Sequence, residues 1–271
     1  MTAGRVGIAL VGAGGRMGLE IARVAFGRPD AHIVAAVERV GSPCLGRDLH
    51  ELAGLGPGGP VIGADADRAA SGADVVVDLS APDAAAGTLT SALFGLRPIV
   101  CGTTGLPAET LAAFDRASGE IPVLVAPNLS LGVAVLAALA ERAVTALGLA
   151  YDIEIVEMHH RDKTDAPSGT ALMLANVAAR AAGIDASENL RFGREGRVGA
   201  RPQGEIGVHA VRGGGVFGDH TVILAGKYER LELTHRADSR TLFAQGALAA
   251  ALFLHGKPPG RYTMAHVLGL G

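Results

Sequence analysis

The string RVGIALVGAGGRMGLEIARVAFG (5–27) constrains the fold more than any other part of the chain. A short apolar, β-rich run (5–11) passes straight into glycines, and a segment with helical periodicity (15–27) follows at once. Glycine lets a backbone turn sharply and approach a ligand closely, while a helix start offers free N–H groups and the positive end of a dipole. Together they make a cradle for a pyrophosphate. The spacing is irregular: Gly12 and Gly14 fit GxGxxG, but the third position is Met17, and glycines fall instead at 12, 15 and 18. A glycine string alone is weak evidence, because a plain strand-to-helix turn uses the same residues. Here Glu38 ends the second strand-like run (32–38), about 20 residues on, where a carboxylate would meet a ribose diol. The sequence therefore predicts a dinucleotide held by Gly12, Ala13, Gly14, Gly15, Arg16 and Met17.

The alternation continues with strand-like runs at 74–80, 97–102 and 122–128, separated by helical stretches around 83–95 and 107–118. Continuous Val/Ile/Leu strands between helices predict a parallel sheet covered on both faces. Right-handed crossovers then give an α/β, Rossmann-type doubly wound fold. Residues 40–65, rich in Gly and Pro, read as loop with weak local structure. From about 129 the pattern changes to a helix (131–147), a strand (151–160), a polar loop and a helix from Thr170 to about Ala182. A Gly/Arg-rich segment (191–204) and three strand-like runs (205–213, 220–226, 230–237) come next. These predict a second α+β domain with a mixed or antiparallel sheet. The helix at 239–256 is expected to return to the first domain. The dinucleotide-binding domain would then be discontinuous, 1–128 and 240–271, with a substrate-binding and oligomerisation domain at 129–239.

Composition excludes several function classes. The 271 residues are 49% hydrophobic and 19% charged, the balance of a compact protein rather than a disordered one. A net charge of −3 provides no global field for nucleic acid or anionic membranes. With 4% aromatic residues and no Trp, a stacking platform for single strands is not expected. The most apolar long stretch, 129–150, is broken by Glu141 and Arg142, whereas a span needs about 20 apolar residues. No signal-peptide pattern is visible. Cys44 and Cys101 lie far apart without a CxxC context and read as reduced thiols. A cytoplasmic, soluble protein without nucleic-acid or membrane partners is the expectation.

Glu38 is followed by Arg39. The carboxylate suits a 2′-hydroxyl and the guanidinium a 2′-phosphate, so NADH and NADPH are both expected as cofactors. Arg16 could lie over the adenine end or the phosphates, or be a solvated surface arginine. CGTTG (101–105) and APNLS (126–130) follow further strands, and ligands of open α/β sheets sit beyond such strand ends. Gly102, Thr103 and Thr104, with Ala126, Pro127, Asn128 and Leu129, are placed to hold the nicotinamide and its ribose. Asn128 reads equally well as a helix cap.

EMHHRDKTDAPSGTAL (157–172) carries the most chemistry. His159, His160, Arg161 and Lys163 follow a strand, and Ser168, Gly169 and Thr170 open a helix a few residues later. Cationic side chains facing unpaired N–H groups form a two-part anion receptor that suits a small dianionic substrate. Adjacent strand histidines point to opposite faces, and neither HExxH nor a third ligand in register is present, so no metal site is expected. A solvated basic loop is the plain alternative. A histidine titrating near neutrality suits proton transfer during hydride addition.

VGAGGRMG (11–18), CGTTG (101–105), APNLSLGV (126–133) and above all HHRDKTDAPSGTAL (159–172) resemble the signature segments of the dihydrodipicolinate reductase family, and the similarity runs over essentially the whole chain. The resemblance implies NAD(P)H-dependent reduction of 4-hydroxy-tetrahydrodipicolinate, or of the dihydrodipicolinate formed from it by water loss, to tetrahydrodipicolinate in lysine and diaminopimelate biosynthesis. It also implies roles. Gly12 to Met17 would hold pyrophosphate, Glu38 and Arg39 would meet the adenosine ribose, and Gly102 to Thr104 with Ala126 to Leu129 would line the nicotinamide. His159 would be the acid–base group and Lys163 a proton donor. His160, Ser168, Gly169, Thr170 and Thr104 would bind substrate, and Arg240 would contact cofactor or substrate. A homotetramer is implied as well. The chain departs from many members at Ala81, where an arginine is common, and at Leu129, where an aromatic residue is common.

Two other readings stand beside this one. Another Rossmann oxidoreductase acting on a small dicarboxylate would, if it worked through a thiolate, need a cysteine in its cleft, and Cys101 lies inside a buried strand. A catalytically inactive nucleotide-binding protein would have no use for the intact basic loop.

Overall fold

Every residue of Val6–Val11 is buried, as a strand covered on both faces requires, and this run forms β1. The computed structural model describes residues 4–270. After β1 come α1 (Arg16–Phe26), β2 (Ala31–Val37), α2 (Leu49–Leu52), β3 (Ile62–Gly63) and α3 (Ala66–Ser71). Then follow β4 (Val75–Asp78), α4 (Ala85–Phe94), β5 (Ile99–Cys101), α5 (Ala108–Ala117) and β6 (Pro122–Val125). The middle of the chain holds α6 (Leu131–Leu147), β7 (Asp152–His159), α7 (Gly169–Ala182), α8 (Ala186–Asn189) and β8 (Leu190–Phe192). The remainder is β9 (Ile206–Arg212), β10 (Asp219–Ala225), β11 (Arg230–Arg236), α9 (Thr241–Leu254), β12 (Gly260–Tyr262) and α10 (Met264–Val267). The chain divides into two units. One is built from the chain up to Leu131 together with the segment from Arg240, and the other spans Gly132–Ser239.

The first unit is a parallel sheet in the order β12-β6-β5-β4-β1-β2-β3, the doubly wound arrangement. Alternate strand residues such as Ala9, Val76, Ile99 and Val123 pack with Leu89 and Phe114 into one core. The fully buried Phe114 alone contributes roughly 1.5–3 kcal/mol of apolar burial. α9 packs along β4, β5 and β6 and against α1. Its buried face carries Leu248 and Leu254 and otherwise small residues, including Ala244, Gly246, Ala247 and Ala251, which let it lie close to its neighbours. The Thr241 hydroxyl donates to Glu20 Oε1 at 2.6 Å, tying the start of α9 to α1.

In the second unit the sheet order is β11-β10-β7-β9-β8. β7 pairs antiparallel with β10 and parallel with β9, so the sheet is mixed. Burial alternates along β7, and Ile153 and Ile155 pack with Leu174 and Ala178 of α7. The helical run Leu131–Ala150, which is α6 and the 3₁₀ turn after it, has the length and apolarity of a membrane span. It carries Glu141 and Arg142 and seats Leu136, Ala140 and Val144 in this core.

The region 40–65 is loop with two short elements. The Asp48 carboxylate accepts N–H groups from His50, Glu51, Gly58 and Gly59, which folds the segment around α2. β3 then extends the sheet by pairing Ile62 and Gly63 with Ala36 and Val37. α3, β8 and β12 are also absent from the pattern-based expectation. Elements this short exist because a neighbour pairs with them or packs on them, and their own sequences carry too few residues to show a period.

Candidate active site

Strand order reverses between β4 and β1, and ligands of open α/β sheets bind outside the strand ends at such a switch point. A cavity of about 740 Å³ lies there, bounded by Val11, Gly12, Glu38, Arg39, Leu79 and Ser80 among others. The glycine turn is built for close approach. Gly12 has φ +78°, and a Cβ on it would stand 2.6 Å from the Leu79 carbonyl oxygen. A Cβ on Gly18 would stand 2.4 Å from the Gly12 oxygen. The tight helix-to-turn packing that GxGxxG assigns to its third glycine is therefore met at Gly18, one residue after Met17. This accounts for the irregular spacing. α1 begins without a side-chain cap, leaving its first turn open to an outside acceptor. Glu38 Oε1 accepts the Gly14 N–H at 3.0 Å and Oε2 accepts the Arg39 N–H at 3.3 Å, which fixes the carboxylate over the turn. Ala13 is fully buried beneath the turn, Met17 is half-buried, and Arg16 and Arg39 are exposed at its mouth. A reduced dinucleotide fits this set: a turn with no room for a Cβ at Gly12 or Gly18, an uncapped helix start and a carboxylate at the ribose position.

The neighbouring strand ends are drawn together by backbone bonds from Gly102 N–H to Asp78 O and from Ala126 N–H to Cys101 O, each 2.9 Å. Gly102, Thr103 and Thr104 thereby lie beside the turn at 126–129. A Cβ on Gly102 would come within 2.7 Å of Leu129 Cδ1 and 2.6 Å of Leu79 Cδ2, so Leu129 fills the space over this glycine. Ala81 lines the cavity. Pro127 is exposed, and Asn128 Oδ1 accepts the Ser130 N–H at 2.8 Å, so its side chain shapes the chain just ahead of α6. Arg240, exposed, is the residue from which α9 starts. Asp78 is fully buried, and burial pushes its carboxyl above the usual range. Burial and the adjacent Asp78 push the Cys101 thiol up to about 12. Cys101 stays a neutral thiol at physiological pH, which removes it as a nucleophile.

The second constellation lies in the second unit, at the end of β7. Ile153, Ile155, Glu157 and His159 share its buried face. Glu157 is fully buried and makes four bonds. Its Oε2 meets His159 Nδ1 and Arg212 Nη1, both at 2.7 Å. Its Oε1 accepts from Arg212 Nη2 at 2.8 Å and from the Ser168 N–H at 3.0 Å. Burial opposes ionisation of Glu157, but Arg212, His159 and Ser168 outweigh it and hold the carboxyl below the ordinary range. His159 is pushed down by burial, in spite of Glu157. Its ring meets that of His220 edge-on at 5.2 Å, and burial pushes His220 down to about 4.

The loop after β7 is pinned by the His160 N–H, which donates to Val216 O at 2.7 Å, and by the Arg161 N–H, which donates to Gly214 O at 3.2 Å. Lys163 Nζ reaches both oxygens of Asp165, at 2.7 and 2.8 Å. Gly169 and Thr170 open α7, Gly169 with open space around its Cα. Ser168 has its side chain engaged within the protein. It is 2% exposed, and its hydroxyl accepts the Ala171 N–H and pairs with His220 Nε2, both at 3.1 Å. It is the N-cap of α7.

Sequence reasoning passed over Glu157, Arg212 and His220. For Glu157 a signal existed: it stands two and four residues from Ile155 and Ile153, on the apolar face of its strand, where a charge needs a partner. For Arg212 no local signal exists, because it arrives from β9.

Two family models match the chain: dihydrodipicolinate reductase, N-terminus, over residues 6–129, and dihydrodipicolinate reductase, C-terminus, over residues 132–268. A 4-hydroxy-tetrahydrodipicolinate reductase of Alkalilimnicola ehrlichii is 48% identical over 263 residues, covering 97% of this chain and 98% of the relative. One of Halorhodospira halophila is 45% identical over 265 residues, covering 98% and 99%. Among solved structures, a dipicolinate-bound dihydrodipicolinate reductase of a Paenisporosarcina species superposes with TM-score 0.74 at 23% identity, covering 96% of this chain and 97% of that one. An amine dehydrogenase of Mycobacterium smegmatis superposes with TM-score 0.63 at 14% identity, covering 96% and 95%. At these identities the two structures speak for the fold.

Proposed function

The chain belongs to the dihydrodipicolinate reductase family, and from that premise we propose how its residues share the reaction. It is an NAD(P)H-dependent oxidoreductase with 4-hydroxy-tetrahydrodipicolinate reductase activity, yielding tetrahydrodipicolinate for lysine and diaminopimelate synthesis. The reduced nicotinamide, when bound, supplies the hydride. Gly12, Ala13, Gly14, Gly15, Arg16 and Met17 hold the pyrophosphate against the start of α1. Glu38 and Arg39 meet the adenosine ribose. Gly102, Thr103 and Thr104, with Ala126, Pro127, Asn128 and Leu129, flank the nicotinamide end, and Arg240 contacts cofactor or substrate.

On the substrate side, His160, Thr104 and the N–H groups of Gly169 and Thr170 bind the two carboxylates, with Ser168 holding the helix start from beneath. Hydride addition to a conjugated imine leaves an electron pair that must be protonated. His159 and Lys163 serve that need, Lys163 as donor and His159 as the acid–base group. A substrate carboxylate competes with Asp165 for Lys163, so binding of the diacid frees the ammonium from its partner. The observation carrying this reading is a single segment, 159–170, that joins a buried histidine, an ion-paired lysine and a helix start capped by Ser168.

The test is loss of the absorbance of reduced nicotinamide while a synthase feeds fresh substrate. Lys163→Ala is expected to lower turnover by on the order of 10²–10⁴ and to weaken inhibition by dipicolinate. Near-normal turnover in that variant rejects the assignment. We further propose a cytoplasmic homotetramer without nucleic-acid or membrane partners. The two unpaired cysteines and the small net charge support the location, and sedimentation should return four copies of the chain.

A further inference from the structure

We propose that Glu157 is a positioning residue that fixes the tautomer of His159 and ties that histidine to the start of α7. The inference rests on the reading of His159 as the acid–base group. Glu157 is fully buried on β7 and bonds the Nδ1 side of the His159 ring. Its two oxygens face four donors. Arg212 supplies two N–H groups, Ser168 one, and His159 Nδ1 the fourth. An ionised carboxylate can only accept, so the fourth bond requires the proton of neutral His159 on Nδ1. Nε2 is then the nitrogen whose lone pair is left to exchange a proton.

The other charged and titratable groups around His159 do not compete for Nδ1. Arg212, from β9, is committed to Glu157 and to the Asp165 carbonyl. His220, from β10, touches the ring edge-on and directs Nε2 to Ser168. His235 on β11 stands across from His220 and is one strand further away. Lys163, on the following loop, is paired with Asp165. One carboxylate therefore joins the proton-transfer group, through Nδ1, to the helix whose first N–H groups receive the substrate, through the Ser168 amide.

The same geometry predicts what an isosteric amide does. In Glu157→Gln only one oxygen remains. Placing the amide NH2 at the Oε1 position would set it against two fixed donors, Ser168 N–H and Arg212 Nη2. Placing it at the Oε2 position sets it against Arg212 Nη1 and His159 Nδ1, and only the imidazole of these can turn into an acceptor. The variant should thus invert His159 to the Nε2–H tautomer, with its lone pair facing away from the substrate.

The experiment is nitrogen-15 NMR of histidine-labelled full-length protein, with the His159 signals assigned by their loss in His159→Gln, together with pH–rate profiles. The parent should show neutral His159 protonated at Nδ1. Glu157→Gln should show the Nε2–H form, a kcat lower by on the order of 10² with a smaller change in KM, and its histidine-dependent limb moved to lower pH, because the imidazolium has lost its anion. If Glu157 only supports the fold, kcat falls evenly across pH while the tautomer and the limb stay put, and the proposal is overturned. If the variant does not fold, the parent spectrum decides alone: an Nε2–H signal for neutral His159 overturns the positioning role, and an Nδ1–H signal supports it. A His159→Gln variant with parental turnover overturns the acid–base reading itself, whatever the tautomer.

Discussion

Replacing Gly246 by alanine sets two effects of opposite sign against each other. Gly246 lies inside α9, where alanine is favoured over glycine by about 1 kcal/mol on helix propensity alone. Propensity thus predicts a more stable protein. The structure predicts the reverse, because a Cβ at this position would stand 1.7 Å from the Leu129 carbonyl oxygen. Backbone meets backbone there, so no side chain can swing away, and the helix or the turn at 126–129 must give by more than an ångström. Overpacking of this kind costs roughly 1–3 kcal/mol or more, and rigid elements on both sides place it at the upper end. Sterics win, with a net loss of about 2 kcal/mol, or a fall of roughly 4–8 °C in Tm for a unit of this size. The displaced turn also carries Leu129, which packs against Gly102, so the KM for NADH should rise by about tenfold, a loss of about 1.4 kcal/mol in binding. Thermal unfolding and NADH titration of Gly246→Ala are the assays. A variant at least as stable as its parent would refute the reasoning.

Other outcomes follow from the same geometry. Glu154 is held at about 2 because Arg194, His209 and Arg201 outweigh the burial that opposes its ionisation. Its folded pKa lies below the unfolded value, so its contribution is present above about pH 4.5 and is lost as pH falls through the folded value. Glu154→Gln should therefore cost about 2–3 kcal/mol near neutrality and much less near about pH 3, as read by chemical denaturation at both; an equal gap at the two counts against the account. Glu38→Gln removes a charge that repels a 2′-phosphate, and the ratio of kcat/KM for NADPH over NADH should rise by about tenfold; an unchanged ratio means the carboxylate does not face that position. Iodoacetamide near about pH 8 should label the half-buried Cys44 and spare Cys101, and modification of Cys101 in the folded protein, seen by peptide mass mapping, would contradict its burial beside Asp78.

What the sequence made legible is what local chemistry decides. The run 5–11 reads as strand and forms Val6–Val11, and the run 15–27 reads as helix and forms Arg16–Phe26, since each carries its own period and a glycine turn between. Glu38 was readable as a site residue because a strand end fixes where it stands. Its clamp on the Gly14 N–H was not, because that bond spans two loops. The cationic loop was legible from charge density. Its support was not: Glu157 looked like one more polar position in a strand, and the guanidinium that neutralises it arrives from 55 residues away. Ser168 was legible as a member of the helix start, yet only the approach of His220 and Ala171 reveals that its hydroxyl caps the helix. The short strands β3 and β12 are written in their partners as much as in themselves.

The first sheet receives β12 at its edge and α9 across β4, β5 and β6 from the far end of the chain. During synthesis, the ribosome therefore releases six of its strands long before the α9 part of their cover exists. The whole intervening unit must emerge first, and it can settle in the meantime because its own sheet and helices are contiguous in sequence. Residues such as Val75, Val77 and Val100, fully buried in the finished protein, wait exposed or loosely covered until α9 arrives. Nascent chains stalled before residue 240 should accordingly be chaperone clients with no grip on nucleotide, and that grip should appear only once α9 clears the exit tunnel.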